Sequence, residues 1–273
     1  MLTRVISGIV LVIAALITIL TGGYLLALVL LVLSWIGFHE LMKACKLTGN
    51  SKNPGALDVI GYIGITVYYF LMVFTQDRAY LFLAIIMILM AFMFLYVLTF
   101  PKYHAEQIMS TFFSMIYAPV MLSCIYLVRD LPYGEYSVWM IFISSWICDT
   151  CAYFVGVAIG KHKMSPKLSP KKSIEGAIGG IAGSAIVGAL YAYFIVEKVI
   201  AHQQITWVFV LISAVGAIIS QIGDLAASAI KRNHDIKDYG KLIPGHGGVM
   251  DRFDSVIFTA PMIYLLVHLL IRA

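Results

Sequence analysis

The hydrophobic positions of this chain fall in long unbroken runs, interrupted by short joints rich in Lys, Gly, Pro and Ser. Crossing ~30 Å of hydrocarbon takes ~20 apolar residues at ~1.5 Å rise each, and the runs have that length. They lack the strict alternation of a barrel strand, so the pattern predicts helices. Nine spans are expected, at about 5–21, 24–45, 56–75, 79–98, 108–128, 136–160, 174–196, 206–230 and 255–271. Gly22-Gly23 alone splits the first two. The first run follows Arg4 and offers no small-residue cleavage site, so it reads as a retained helix and not as a removed signal. The expected fold is an all-α polytopic transmembrane helix bundle, a single integral membrane domain over 1–273 with no soluble domain or repeat. Residues 1–135 read as scaffold helices, and 136–273 carry nearly all the unusual polar groups on helices and cytoplasmic loops.

Composition agrees. A chain that is 61% hydrophobic and 12% charged, with mean hydropathy +0.93, is not a water-soluble globule. Basic residues then orient it. With the N-terminus in the cytoplasm, Arg4, Lys43, Lys46, Lys52, Lys102, Lys161, Lys163, Lys167, Lys171, Lys172, Lys231, Arg232, Lys237, Lys241 and Arg252 share the inner side, 15 of the 19. Arg78, Arg129, Lys198 and Arg272 lie outside. Removing one span would scatter the basic loops onto both faces. The prediction is a multi-pass protein of the cytoplasmic (inner) membrane.

The net charge of +5 therefore sits on one face. For Lys43 to Lys102 the orientation rule is explanation enough. The later loops are denser than orientation needs, which suits anionic lipid headgroups or a nucleotide. No basic stripe interleaved with aromatics occurs, so nucleic acid is not an expected partner. Cys148 and Cys151 have C-x-x-C spacing, but no second ligand pair or redox context accompanies them, and with Cys45 and Cys124 they read as small apolar filler.

Two loops stand out, Lys161 to Ser173 and Lys231 to Asp254. The first holds two Ser-Pro steps that favour turns, and reads either as a solvated linker or as a phosphate-gripping lid. Acids inside spans are costly and should face a cavity, a partner or a cation. Asp149 and Asp224 lie at such depth, whereas Glu40, near the end of its span, reads as structural. Asp149, Tyr153, Gly156 and Gly160 recur at helical spacing, and the two glycines suggest a face buried in the bundle. Asp224, Ser228 and Lys231 share another face. Gly156 to Lys161 is one residue short of a P-loop, and His162 stands where Ser or Thr belongs.

Asp251 and Asp254 open the last span three residues apart. One of them suits a helix N-terminus, but two repel unless a cation neutralises them. Oxygen donors without a Cys or His pattern favour Mg²⁺ or Mn²⁺. Gly245, Gly247 and Gly248 flank His246, and such a turn can offer backbone N–H groups to phosphate. Carboxylates, glycines and flanking Lys and Arg together are the parts that metal-dependent phosphoryl or nucleotidyl transfer requires.

The run from Ser228 to Asp254 reads Ser-Ala-Ile-Lys-Arg, then Lys237-Asp238, then His246-Gly-Gly, then Asp251-Arg-Phe-Asp254. Across these 27 residues it resembles the signature of the phosphatidate cytidylyltransferases, or CDP-diacylglycerol synthases. A second similar stretch is Asp149 to Gly156 with Gly160-Lys-His-Lys and Ser169 to Gly180, where Ser173 replaces a common Thr. The resemblance implies that CTP and phosphatidate give CDP-diacylglycerol and pyrophosphate. It implies a cation site on Asp224, Asp251 and Asp254 for Mg²⁺ or Mn²⁺, with a second cation in the same arrangement and Asp149 beside it. Lys231, Arg232 and His246 join the catalytic group, with His246, Gly247 and Gly248 as a phosphate cradle. Ser228, Lys167, Lys171, Lys172, Lys237, Asp238 and Arg252 complete the substrate site. That site is expected on the cytoplasmic side of the C-terminal half, open to membrane lipids, with the first five spans as scaffold and homodimer surface.

A secondary transporter with Asp149 and Asp224 as an ion relay is the rival reading. It leaves the one-sided glycine and basic loops without a purpose, and no inverted repeat accompanies it. The Asp-Gly-x-x-Ala-Arg motif of CDP-alcohol enzymes is absent.

Overall fold

The computed structural model describes residues 2–48, 54–199, 205–242 and 247–271, with residues 2–7 and 9–11 as backbone. Lys52, His246 and Arg272 lie outside these residues, and of Arg4 only the backbone is described. Among the described residues, helices α1 (Leu2–Thr21), α2 (Gly23–Ala44), α3 (Ala56–Phe74), α4 (Ala79–Thr99) and α5 (Ala105–Arg129) come first. Helix α6 (Gly134–Ile159), strands β1 (Lys163–Ser165) and β2 (Ser169–Ser173), and helices α7 (Ile174–Val196), α8 (Thr206–Asn233) and α9 (Met250–Leu270) follow. The eight helices α2 to α9 are long and apolar enough to cross a membrane; in α1 the described apolar stretch is Val12–Thr21. The chain is a multi-pass helical membrane protein.

Element limits extend beyond the hydrophobic pattern where polar residues entered helices, as at the starts of α5 and α9 and the end of α8. Helix α5 starts at Ala105, where the His104 N–H donates to Gln107 Oε1 at 2.9 Å and caps the first turn. Helix α9 starts at Met250, so its first turn absorbs Asp251, an acid favoured at a helix N-terminus. The expected Lys161–Ser173 loop contains a hairpin: β1 and β2 pair antiparallel with Lys163 opposite Ser173 and Ser165 opposite Ser169. The Ser173 hydroxyl then accepts the Gly176 N–H at 3.2 Å and caps α7.

The chain forms two compact units, residues 1–123 with 236–252 and residues 124–235 with 253–273. The loop 236–252 belongs with the N-terminal helices. In this first unit Phe38, Leu41, Met42, Ile65, Met72 and Phe92 are fully buried. Lipid is as apolar as these side chains, so close packing and buried hydrogen bonds must hold the helices together. Ser34 and Tyr69 hydroxyls meet at 2.7 Å, and the Tyr69 hydroxyl donates to the Pro119 carbonyl at 3.2 Å. Pro119 lies in a π turn of α5, Ile116–Val120. Helix α4 is apolar all round, and Phe82, Met87, Met90, Phe94 and Val97 are exposed along it.

In the second unit α6 packs against α7 through small residues. A Cβ on Gly176 would lie 2.7 Å from the Ala152 carbonyl oxygen, and one on Gly180 would lie 2.8 Å from that of Cys148. Only glycine permits this approach. The packed face of α6 is Cys148, Ala152 and Gly156: Gly156 was expected there, but Cys148 and Ala152 take the places expected for Asp149 and Tyr153. Tyr153 is correspondingly exposed, at 66%. Close approach selects the smaller side chains, and Cys148 and Ala152 are smaller than Asp149 and Tyr153. A π turn, Ile143–Ile147, precedes Cys148 and resets the helical phase just before Asp149.

Candidate active site

The second unit gathers charge from four elements. Helix α6 supplies Asp149, β2 supplies Lys172, α8 supplies Asp224, Ser228 and Lys231, and α9 supplies Asp254 and Ser255. Lys172 Nζ forms an ion pair with Asp224 Oδ2, the two side chains 26% and 24% exposed. Asp149 Oδ2 accepts from the Ser255 hydroxyl at 3.4 Å, and the Ser255 N–H donates to Asp254 Oδ1 at 2.9 Å. The charges of Asp224 and Asp149 bear on Asp254, with Lys231 opposing them. Lys172 and Asp224 likewise bear on Asp149. Asp224, Ser228 and Lys231 lie four and three residues apart along one face of α8, as expected, and all are half-buried.

The hairpin that carries Lys172 is braced at its base. Glu175, in the first turn of α7, accepts the Lys161 N–H at 3.1 Å and the His162 N–H at 3.2 Å, and its Oε1 meets His162 Nδ1 at 2.6 Å. The Ile174 N–H donates to the His162 carbonyl at 2.9 Å. Lys167 in the turn and Lys171 on β2 stay exposed.

In the first unit the signature loop is built on two buried acids. Asp251 Oδ2 accepts the Tyr239 N–H at 2.8 Å and the Gly248 N–H at 3.0 Å. Glu40 of α2, 6% exposed, accepts the Val249 N–H at 3.1 Å on Oε1 and the Met250 N–H at 2.8 Å on Oε2. These are donors that a helix start leaves without intrahelical partners. Gly247 has φ +87°, a backbone region that favours glycine. Gly248 was expected to line a phosphate cradle. Its N–H is instead given to Asp251, and a Cβ there would lie 2.5 Å from the Glu40 carboxyl carbon. Gly240 meets the same carboxyl carbon, at 2.8 Å from an added Cβ.

Of the remaining sequence-predicted residues, Arg232, Lys237, Asp238 and Arg252 are exposed. Glu40 is structural, as its position suggested, but what it holds is the loop of the signature. Ser255, Glu175 and Gln221 were missed. Gln221 Nε2 donates to the Ala177 carbonyl at 3.1 Å and reaches Cys148 Sγ at 3.4 Å. A glutamine one turn before Asp224 in an apolar helix was the available signal. The four cysteines are free thiols; Cys148 donates to the Ala217 carbonyl, and partial burial pushes the Cys45 thiol up. Filler fits them.

Among the described residues, no three His, Cys, Asp or Glu side chains converge on one point to hold a metal ion. The donor chemistry nevertheless suits a hard cation. Asp149, Asp224 and Asp254 bring oxygen ligands, and Lys172 and Lys231 offset only part of their charge.

The sequence model of the cytidylyltransferase family matches residues 2–270. The phosphatidate cytidylyltransferase of Staphylococcus saprophyticus is 30% identical over 266 residues, 97% of this chain and 98% of its own length. That of Staphylococcus aureus strain COL is 30% identical over 270 residues, with the same coverage of each chain. That of Bacillus subtilis is 34% identical over 144 residues, 52% of this chain and 51% of its own. A match along nearly the whole chain includes the helices that carry Asp149, Asp224 and Asp254 as well as the scaffold, and the protein belongs to the cytidylyltransferase family.

Proposed function

We propose that this protein is a phosphatidate cytidylyltransferase, transferring CMP from CTP to phosphatidate to give CDP-diacylglycerol and pyrophosphate. The observation that carries this is the gathering of Asp149, Asp224, Asp254 and Lys231, all on membrane-length helices, with Lys172 of the hairpin. The names of the full-length relatives supply the substrate class. No observation favours the ion-relay transporter.

The phosphatidate monoester is already an anionic nucleophile. One of its phosphate oxygens attacks the α-phosphorus of CTP, the new P–O bond forms as the bond to the β-phosphate breaks, and pyrophosphate leaves with that electron pair. No side chain has to take a proton. The protein's task is to align two anions that repel each other. Lys231 and Lys172 offset phosphate charge, and the exposed Lys167, Lys171, Arg232, Lys237 and Arg252 extend the same service to the arriving nucleotide. Ser228 and Asp238 are assigned to substrate positioning. His246, with the Gly247 backbone, is assigned to the phosphates on the strength of the signature alone. Asp224, Asp251 and Asp254 are the proposed ligands for Mg²⁺ or Mn²⁺ and a second cation, with Asp149 beside them. Bound there, the cations would neutralise charge on the triphosphate and polarise the α-phosphorus.

The distribution of Lys and Arg favours a cytoplasmic membrane location with the N-terminus inside and the site on the cytoplasmic side. Phosphatidate would then reach it from surrounding membrane lipids and CTP from the cytosol. The apolar exterior of the N-terminal helices offers a homodimer surface.

The test uses purified protein in detergent micelles with CTP, phosphatidate and Mg²⁺, beside Asp251→Asn and a chelator control. The expected products are a CDP-lipid and pyrophosphate from the wild type with metal only. Folded wild type that makes neither, across several lipid phosphates and metals, overturns the proposal.

A further inference from the structure

We infer that Glu40 is a positioning residue for the proposed transfer reaction. Helix α2 holds it 209 residues from the backbone it binds, inside the half of the chain that reads as scaffold. Its two carboxylate oxygens take two consecutive donors, Val249 N–H and Met250 N–H, at the start of α9. Asp251, the next residue, takes Tyr239 N–H and Gly248 N–H. Four backbone donors of one loop thus end on two acids, and one of the acids is itself a member of the signature.

The glycines support the assignment. Any side chain at Gly248 or Gly240 would collide with the Glu40 carboxyl group. Met250 is locked from the other side, since its side chain packs against Gly37, one turn before Glu40, where an added Cβ would lie 3.2 Å from the sulfur. Glycine at 240 and 248 is therefore explained by a carboxylate that the loop must wrap closely. The consequence is that residues 247–251 have their backbone direction set by α2. No atom of Glu40 need touch substrate for this to matter: misplacing a reacting group by about 1 Å can cost on the order of 100-fold in rate.

The inference rests on the proposed cytidylyl transfer, and the experiment separates the two. Glu40→Gln is nearly isosteric, but it replaces one acceptor by an NH₂ group facing a backbone N–H. Ser34→Ala, on the same helix and equally buried, removes the bond to Tyr69 without touching the loop. Hydrogen exchange of peptides covering 247–253 is measured in detergent micelles for wild type and both variants, with kcat and KM for CDP-lipid formation alongside. Glu40→Gln should speed exchange at Val249 and Met250 and lower kcat by roughly 10–100-fold, the loss expected of one charge-assisted hydrogen bond. KM for CTP should change less than kcat. Ser34→Ala should leave loop exchange as in wild type. Unchanged exchange in Glu40→Gln overturns the inference, as does equal acceleration by Ser34→Ala, which would mean general loosening. Fast exchange with full turnover also overturns it. If the wild type forms no CDP-lipid, the proposed function fails, and the exchange data alone decide whether Glu40 anchors the loop.

Discussion

Replacing Lys172 by Met removes one cation from a group of three carboxylates. In the wild type its ammonium pairs with Asp224, both side chains about one quarter exposed (26% and 24%). Hydrogen bonds to charged groups contribute about 1.5–3 kcal/mol net, and partial exposure holds this pair to that range and below the cost of stranding a fully buried charge. Without Lys172, Asp224 meets the fields of Asp149 and Asp254 with less to offset them. At about 1.4 kcal/mol per tenfold, kcat/KM for CTP should fall roughly 10–100-fold. Lys172→Arg keeps the charge and should restore most of the loss. A double-mutant cycle on thermal unfolding in detergent, with Lys172→Met, Asp224→Asn and the combination, isolates the pair itself. The expected coupling is about 1–3 kcal/mol at low salt, smaller as ionic strength rises. Coupling below about 0.5 kcal/mol, together with kcat/KM within about twofold of wild type, would refute the reasoning from both sides.

Asp224→Asn and Asp251→Asn should each lower turnover by at least about 100-fold, because even the outer partners of metal ligands are worth about 10–100-fold. Both variants should remain folded, since Asn keeps one acceptor oxygen; normal turnover in both, measured as CDP-lipid release, removes the cation-site assignment. Gly180→Val should push α6 from α7 at a point where a Cβ meets the Cys148 carbonyl oxygen at 2.8 Å. The expected cost is about 1–3 kcal/mol, seen as a lower thermal-inactivation midpoint, and an unchanged midpoint would mean that this glycine seam is not tight.

The helices were legible because their signal is local. A run of apolar residues long enough for a bilayer reports itself, whatever it packs against, and the eight candidate spans among the described residues coincide with eight of the nine runs. The limits that moved did so where polar residues satisfied helix starts, as Gln107 does for His104 and Glu40 does for Met250. The hairpin in Lys161–Ser173 was not legible, because its strands carry little apolar alternation. It is held by Ser173 at the start of α7 and by Glu175 at its base. The π turn before Asp149 was equally silent, since one extra residue per turn leaves composition unchanged.

The acids show where sequence reading stops. Depth marked Asp149 and Asp224 as carboxylates too costly to bury without a purpose, and spacing marked Asp251 and Asp254 as a pair that needs a cation. The structure separates them by what meets their oxygens. Asp251 accepts two backbone N–H groups, like Glu40, and such bonds stabilise a loop whether or not a cation is also bound. Asp149 and Asp224 face a hydroxyl and an ammonium group of side chains, which can move aside for an arriving phosphate or metal, while Asp254 accepts the Ser255 backbone N–H of its own turn. Backbone amides cannot be exchanged for a ligand without unmaking the loop, whereas a lysine on a short hairpin can. Asp224 and Asp149 are therefore the acids whose partners can change during turnover. Glu40 must keep its partners throughout, and a chain read one residue at a time cannot reveal that difference.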